Sequence, residues 1–237
     1  MGGQKDGGDK VIYTNSITGV NVYDVEQGSD DWLSSRLGVI TASRAHDIIK
    51  QVRAKGSYSE SRKTYMMELV AQVATGLLPE QSQFKQAAWG HDNEPLAREA
   101  YEAREFACVN TCGLIYRDES MRCGISPDGI MEDRGLEIKN PFTTQVHLDT
   151  LLNGVIKPEY ITQCQYSMWV TGLERWDFCS FDWRMRGAPE NRLVVIPQYR
   201  DDELMAKFDE EMPKFIAEMD EILVKIGFAF GDQWRKI

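Results

Sequence analysis

Apolar residues recur along the chain with two different periods, which separate predicted helices from predicted strands. Spacings of three and four residues predict helices, and these cover about residues 30–37, 41–50, 61–75, 83–106, 143–154, 158–170 and 201–226. Short apolar runs and strict alternation predict strands, at about residues 108–116, 123–131, 136–139, 175–182 and 192–197, and a short strand or extended segment at residues 20–25. This order predicts an α/β (α+β) fold with a central mixed sheet flanked by helices.

The ends of the predicted helices are marked by capping residues. Ser29 offers an N-cap to the first helix, Gly76 follows the third, and Pro158 suits the first position of the sixth. Residues 1–14 are polar and glycine-rich, which predicts a flexible segment rather than a signal peptide or membrane anchor. No apolar run approaches the roughly 18 residues of a membrane span, so we expect a single cytoplasmic domain over residues 1–237.

Composition excludes some classes of site. The chain is 42% apolar over 237 residues, enough for a sizeable core. Its five cysteines are odd in number and lie mostly in apolar segments, which predicts reduced packing residues. There is no Cys-x-x-Cys pair and the three histidines are scattered, so a zinc site or an iron–sulfur cluster is not expected.

Charge is unevenly distributed along the chain. The net charge is −10, which by itself argues against a polyanionic partner. Residues 201–222 hold nine acidic residues against two lysines, and we interpret this run as solvated helix surface. Residues 50–63 hold five basic residues against one acidic residue, so a local basic loop could still follow phosphates.

Residues 122–139 hold the candidate chemistry, arranged as a hairpin with a polar turn. Side chains alternate between the two faces of a strand. Leu136 and Ile138 are therefore expected to face the core, while Glu137 and Lys139 face one cleft. A carboxylate and an amine would then converge beside the turn.

Asp128 brings a second carboxylate to this hairpin. Together with Glu137 it supplies the hard oxygen ligands that magnesium or manganese prefers, and Lys139 could orient or deprotonate a water. Such a set suits phosphodiester hydrolysis. From these residues alone, an ordinary surface hairpin with solvated charges is an equally good interpretation.

Two further features allow either a structural or a functional interpretation. Thr41 and Ser43 begin a predicted helix just after Arg36, and could form an anion site or simply cap the helix. Glu94 lies on the long predicted helix and could be solvated or could reach the metal cleft.

The Pro-Asp…Glu-x-Lys pattern resembles that of the PD-(D/E)XK nucleases, whose fold is a restriction-endonuclease-like core. A closer resemblance, covering nearly the whole chain from about Val20, is to the lambda exonuclease family of phage recombination enzymes. The stretches that carry it are residues 32–43, 88–90, 115–122, 126–129, 136–143, 165–171 and 227–235.

This resemblance implies a magnesium-dependent exonuclease that digests one strand of duplex DNA from its 5' end. It implies that 5'-mononucleotides are released, leaving a 3' overhang for recombination. The expected assembly is a homotrimeric ring around the DNA, working with a phage single-strand annealing protein in the cytoplasm of the bacterial host.

The resemblance also implies roles for individual residues. It implies metal binding by Asp128, Glu137, the Ile138 carbonyl and, for a second ion, Glu94. It implies catalytic roles for Lys139, Gln163 and Asp118, with the role of Asp118 unassigned. It implies a pocket for the 5'-phosphate made by Arg36, Thr41, Ser43 and Ser126.

Two positions depart from the family pattern, and two other functions stay open. The apolar wedge expected to part the terminal base pair falls on Ala87, and the basic segment 50–63 is hard to align. A DNA-end-binding subunit without catalysis is one alternative, which a nuclease assay with and without magnesium would test. An endonuclease on the same core is the other, and it would cut circular duplex.

Overall fold

A computed structural model describes residues 4–6, 10–12, 14–50, 58–78 and 84–235. Its helices are α1 (Asp30–Ser35), α2 (Ala45–Ile49), α3 (Glu60–Thr75), α4 (Phe84–Glu105), α5 (Thr144–Asn153), α6 (Pro158–Thr171) and α7 (Asp202–Lys225). Its strands are β1 (Gln4–Asp6), β2 (Lys10–Ile12), β3 (Ile40–Thr41), β4 (Ile115–Tyr116), β5 (Cys123–Ile125), β6 (Gly129–Ile130), β7 (Gly135–Lys139), β8 (Arg175–Phe181) and β9 (Leu193–Tyr199). Short 3-10 turns lie at Ala42–Arg44, Pro189–Arg192 and Asp232–Trp234.

The strands form two mixed sheets and one hairpin. A three-stranded sheet has the order β3-β5-β4, and a four-stranded sheet has the order β6-β7-β8-β9. The central pair β7 and β8 is parallel, while β6 and β9 are antiparallel to their neighbours. This confirms the predicted α/β class with mixed sheets flanked by helices, but the sheet is divided rather than continuous.

The division falls inside the segment predicted as one strand, residues 123–131. Strand β5 ends at Ile125 and β6 begins at Gly129, because Pro127 cannot donate a ladder hydrogen bond and the chain turns there. The same segment thereby passes from one sheet to the other. The residues that link the sheets, 126–128, include two of the candidate site residues.

Two other predicted strands are mostly irregular. Residues 20–25 form turns and an isolated bridge, and of residues 108–116 only Ile115–Tyr116 is a regular strand. The two segments instead exchange backbone hydrogen bonds, from Gly113 N to the Tyr23 carbonyl and from Leu114 N to the Val22 carbonyl. A Cβ at Gly113 would lie 2.1 Å from the Val25 carbonyl oxygen, so only glycine permits this approach.

Helix ends follow the capping pattern closely. The Ser29 hydroxyl accepts a hydrogen bond from Trp32 N at 3.2 Å, Gly76 ends α3 with φ of 65°, and Pro158 is the first residue of α6. The helix predicted over residues 41–50 is shorter than expected, since a 3-10 turn precedes the five-residue α2.

The hydrophobic core surrounds α6, which packs against α2, α7 and β8. Tyr166 and Met168 of α6 and Trp176 of β8 are fully buried. Helix α7 contributes buried residues spaced three or four apart, namely Met205, Phe208, Met212, Phe215, Met219 and Leu223. Cys112, Cys123, Cys164 and Cys179 are buried, as expected of packing residues, whereas Cys108 is exposed.

The interpretation of residues 201–222 as solvated surface is only partly correct. Glu218 pairs with Arg62 at 2.7 Å and Asp220 pairs with Arg122 at 2.6 Å, and both arginines are buried. Arg62 belongs to the basic segment that could have followed phosphates, but its charge is already neutralised by Glu218 within the fold. Residues 51–57 of that segment lie outside the described residues.

The described parts of residues 1–14 include the antiparallel pair β1 and β2, whereas the sequence predicted a flexible segment. The prediction of one domain over residues 1–237 stays a prediction. Within the described parts of the chain, no helix combines the length and apolar character that crossing a membrane requires.

Candidate active site

The β6–β7 hairpin presents its side chains as the alternation predicted. Leu136 and Ile138 of β7 are buried in the apolar cluster beneath the sheet. Glu137 lies on the opposite face, where its carboxylate accepts a hydrogen bond from the Lys139 ammonium. The carboxylate and the amine of this strand therefore share one face, although Glu137 is only 3% exposed.

Asp128 is fixed beside this strand by the backbone of its neighbour. Its Oδ2 accepts a hydrogen bond from Ile138 N at 2.6 Å, across the hairpin. Burial, followed by the charges of Glu137 and Glu94, holds the pKa of Asp128 well above its ordinary value. Asp128 is therefore close enough to both other carboxylates to be repelled by them.

Arg98 of α4 ties the third carboxylate to the hairpin. Its Nη2 donates to Glu94 Oε1 at 2.5 Å, and its Nε donates to the Asp128 carbonyl oxygen at 3.1 Å. Glu94 thus lies beside the hairpin, close enough to Asp128 to raise its pKa, and its role as a metal ligand stays a prediction. The four-residue spacing of Glu94 and Arg98 on one helix face is a signal that the sequence already contained.

Lys139 lies between the carboxylates and α6. Its Nζ is 4.9 Å from the centre of the Tyr160 ring. Burial lowers the pKa of Lys139, but the charges of Glu137 and Asp128 outweigh burial and raise it above the ordinary value. Gln163 is half-buried one turn after Tyr160, so it is on the same side of α6.

The donor set suits a small hard cation. Among the residues that the structure describes, no three Asp, Glu, His or Cys side chains form a complete ligand group. Mg²⁺ is commonly held by only one or two protein carboxylates, with water and substrate phosphate completing its coordination. Asp128 and Glu137 could supply those carboxylates, and the mutual repulsion of the carboxylates is what a divalent cation would relieve.

A cationic cradle lies two residues before Asp128. Arg36 donates from Nη1 to the Ser126 hydroxyl at 2.7 Å, and its guanidinium lies 4.4 Å from the centre of the Trp32 ring. The same hydroxyl accepts a hydrogen bond from Trp32 Nε1 at 2.9 Å. Burial lowers the pKa of Arg36 to about 10, and no carboxylate among the described residues pairs with it.

Thr41 and Ser43 approach this cradle by strand register. Thr41 is paired with Gly124 in the parallel ladder of β3 and β5, so Ser43 and Ser126 leave the two strands at the same edge. Thr41 N–H donates to the Tyr65 hydroxyl at 3.1 Å, and Thr41 makes no side-chain cap. Ser43 is exposed within the 3-10 turn, which Thr41 precedes as its N-cap residue, and the α-helix itself begins only at Ala45.

The match to known families agrees with this geometry. The description "YqaJ-like viral recombinase domain" fits residues 31–174, which is more than half of the 237-residue chain. The chain belongs to this family. The membership confirms the predicted relation to phage-type recombination exonucleases, and the matched span contains the cradle and all three carboxylates.

Proteins of known structure are similar to this chain. The alkaline exonuclease LHK-Exo of Laribacter hongkongensis is 33% identical, with a TM-score of 0.73 over 84% of this chain and 96% of that one. The same protein has been solved in complex with dAMP. A phage-related exonuclease from Haemophilus somnus 129PT is 15% identical with a TM-score of 0.61, over 80% of this chain and 96% of that one, and shares the fold.

A curated relative is the uncharacterized protein ExoD of Escherichia coli (strain K12). It is 48% identical over 80 residues, which cover 34% of this chain and 88% of ExoD. Its name gives no activity, so it supports the family assignment alone.

One predicted site residue is not brought to the carboxylates. Asp118 is exposed in the turn between β4 and β5, where it accepts a hydrogen bond from Ser120 N at 2.9 Å. Its catalytic role stays a prediction. The side chain of Ala87, expected at the wedge, lies outside the described residues.

Sequence reasoning missed three residues that position the site. Arg98 bridges Glu94 and Asp128, Trp32 holds Ser126, and Tyr160 faces Lys139. Apart from the spacing of Arg98, these contacts join distant parts of the chain. A single sequence contains no signal for them.

Proposed function

We propose that this protein is a magnesium-dependent exonuclease that digests one strand of duplex DNA from its 5' end and releases 5'-mononucleotides. The observation that carries the proposal is the connection of two sites through residues 126–128. Ser126 belongs to the Arg36 cradle, and Asp128 belongs to the carboxylate group. A terminal phosphate bound in the cradle would place the next phosphodiester beside the carboxylates.

The cation would be held by Asp128, Glu137 and the Ile138 carbonyl, and Glu94 would help to hold a second one. A bound Mg²⁺ lowers the pKa of its water and stabilises charge that develops on the phosphate, and Mn²⁺ is expected to substitute. The similarity to LHK-Exo, which is described as an alkaline exonuclease, supports this chemistry.

The side chains of the chain have separate tasks in this proposal. Arg36 and Ser126 bind the terminal phosphate through charge-assisted hydrogen bonds, with Thr41 and Ser43 at the same edge. Lys139 donates hydrogen bonds that orient the attacking water in line with the scissile bond. Gln163, on the Tyr160 side of α6, and Asp118 complete the set of proposed catalytic residues.

The experiment that tests this function uses linear duplex labelled separately at its 5' and 3' ends, with magnesium or with EDTA. We expect the 5' label to appear first as a mononucleotide, only with magnesium. Release from the 3' end would contradict the polarity. Binding without digestion would favour an end-binding subunit, and cutting of a circular duplex would favour an endonuclease.

The biological setting follows from a 3' overhang as the product. We propose that the overhang is used by a phage single-strand annealing protein in the bacterial cytoplasm. The enzyme would act as a homotrimeric ring that encloses the duplex.

A further inference from the structure

An exposed group of aromatic side chains lies outside the two sites described above. Trp89 stacks on Trp183 with 6.3 Å between ring centres, and Phe142 meets the edge of Trp89 at 5.9 Å. Trp183 is 47% exposed and Phe142 is 52% exposed. We call Trp89, Phe142 and Trp183 the aromatic platform.

The topology places this platform beside the carboxylates. Strands β7 and β8 are parallel, so their carboxyl ends meet at one edge, where Lys139 is the last residue of β7. Phe142 follows Lys139 by three residues, a reach of at most about 10 Å. Trp89 precedes Glu94 by five residues on α4, about 7.5 Å along the helix axis.

Arg184 holds the platform in a fixed arrangement. Its guanidinium lies 4.6 Å from the centre of the Trp89 ring and donates to Asp182 Oδ1 at 2.7 Å. It also donates to the Pro141 and Phe142 carbonyl oxygens, at 2.9 and 3.0 Å. The rings are therefore pre-organised, so a ligand would bind them without paying to order them.

The charge of this surface indicates the chemistry of its ligand. Asp182 neutralises Arg184, so the cation that contacts the Trp89 ring is already paired and the surface offers mainly flat aromatic faces. Phosphate groups alone would gain little there. Nucleobases suit it because each has a flat face that stacks on aromatic rings, and only unpaired or terminal bases leave that face open.

We propose that the aromatic platform stacks unpaired nucleobases of the DNA strand next to the cleavage site. The inference rests on the proposed function, since it assumes that a DNA end lies at the carboxylates. At 3.4 Å for each nucleotide of one strand, a reach of 10 Å corresponds to about three nucleotides. The bases involved are therefore those closest to the scissile bond.

The test measures binding of the full-length protein to a short oligothymidine in EDTA, where no digestion occurs. Trp183→Ala should weaken binding about 5- to 150-fold, the value of one lost base stack. Trp183→Phe keeps a ring and should bind nearly as wild type does. Tyr199→Ala is the matched control. Tyr199 is also an exposed aromatic residue (66%), but in the strand register it is opposite Arg175, at the end of β8 far from Trp183.

A second measurement changes the ligand and leaves the protein intact. An abasic oligonucleotide of equal length keeps every phosphate, so wild-type protein should lose affinity for it by a similar factor. Because stacking releases few counterions, the ratio of the two affinities should change little with salt. Equal affinity for the two ligands would overturn the proposal even if Trp183→Ala failed to fold.

Other outcomes are equally decisive. Equal losses in Trp183→Ala and Tyr199→Ala would reject a specific platform, and a changed mass of Trp183→Ala in solution would identify a subunit contact instead. If wild type binds as expected but digests no DNA, the proposed function fails while the platform stands. If it digests DNA and Trp183→Ala binds normally, the platform alone fails.

Discussion

Arg36 is a partly buried cation whose nearest described partners are a neutral hydroxyl and an indole ring. Burial lowers the pKa of Arg36 to about 10, so the guanidinium is still charged at neutral pH. Burying a charge without a counterion is costly, and a bound anion would offset that cost. If the neighbouring carboxylates hold the metal that cleaves DNA, the anion expected beside them is the terminal phosphate of a DNA strand.

Replacing Arg36 by alanine should slow digestion of 5'-phosphorylated ends by about 10- to 150-fold, since a charge-assisted hydrogen bond contributes roughly 1.5 to 3 kcal/mol. On 5'-hydroxyl ends the effect should be much smaller, because that contact is absent. Rates of both proteins on both ends give the comparison. Arg44→Ala serves as the control, since Arg44 is already paired with Asp47 and Glu68. Equal slowing on both ends would reject the phosphate pocket.

Asp128 illustrates a conflict between stability and catalysis. Its carboxylate lies beside Glu137 and Glu94, and desolvation and these charges raise its pKa, so ionising it costs free energy in the metal-free protein. An asparagine would keep an oxygen to accept the Ile138 N–H bond while removing the charge. The residue is thus better suited to binding a cation than to folding.

Asp128→Asn should therefore abolish digestion with magnesium and leave the free energy of unfolding in EDTA unchanged or higher by about 0.5–2 kcal/mol. Digestion assays and urea denaturation in EDTA measure the two effects. Glu132→Gln removes a carboxylate from the exposed turn of the same hairpin and should change neither. Normal digestion by Asp128→Asn would contradict the metal site, and a large loss of stability would show a structural role.

Calcium should support DNA binding by wild type without cleavage, since it tolerates looser coordination.

At the scale of elements, the pairing of β7 with β8 depends on one small residue. Gly135 is opposite Trp176 in the parallel ladder, and a Cβ at Gly135 would lie 2.4 Å from ring atoms of Trp176. Trp176 is fully buried, so its ring has no free space into which to move. The glycine therefore sets the distance between the strand that carries Glu137 and the core.

Gly135→Ala should lower the free energy of unfolding by about 1–3 kcal/mol, as expected for overpacking a core. Urea denaturation in EDTA measures the change. Gly90→Ala is the matched control because nothing lies within 4 Å of its Cβ position, and alanine favours the helical conformation of α4. The control should be unchanged or slightly more stable. Similar losses in both variants would show that contact with Trp176 is not the cause.

The elements that follow local rules were predictable. Alternation placed Glu137 and Lys139 on one face, and Gly76 and Pro158 marked helix ends, because these effects depend on neighbouring residues. Residues 20–25 were predicted as a short strand or extended segment, but they mostly form turns whose backbone carbonyls accept hydrogen bonds from residues 113 and 114. Arg62 and Glu218 are 156 residues apart in the sequence, and no local pattern predicts their pairing.

The candidate site divides along the same line. Asp128, Glu137 and Lys139 lie within one hairpin, so their convergence follows from strand period and turn position. The cradle joins α1 to the segment after β5, with 90 residues between Arg36 and Ser126. That contact was expected only from resemblance to the family, as was the position of Gln163.

At the scale of the whole molecule, an acidic protein has to hold a polyanion. The net charge is −10, and the carboxylates of the candidate site add to the repulsion of DNA. Several arginines are committed to internal pairs, among them Arg62 and Arg122 with acids of α7. Sustained contact with duplex therefore requires the remaining cations to be gathered along one path.

Closed cyclic symmetry gathers such cations, because each subunit brings the same patch to a common axis. We therefore expect a C3 ring with the acidic outer face of α7 away from the bore. Light scattering in the absence of DNA should give three times the 27.1-kDa mass of one chain at working concentration and salt. Asp128→Asn should keep that mass, because the substitution changes the candidate active site and is expected to abolish activity without disturbing the contact between subunits. A monomeric mass in wild type that digests DNA would reject the ring, since the activity would then need no assembly.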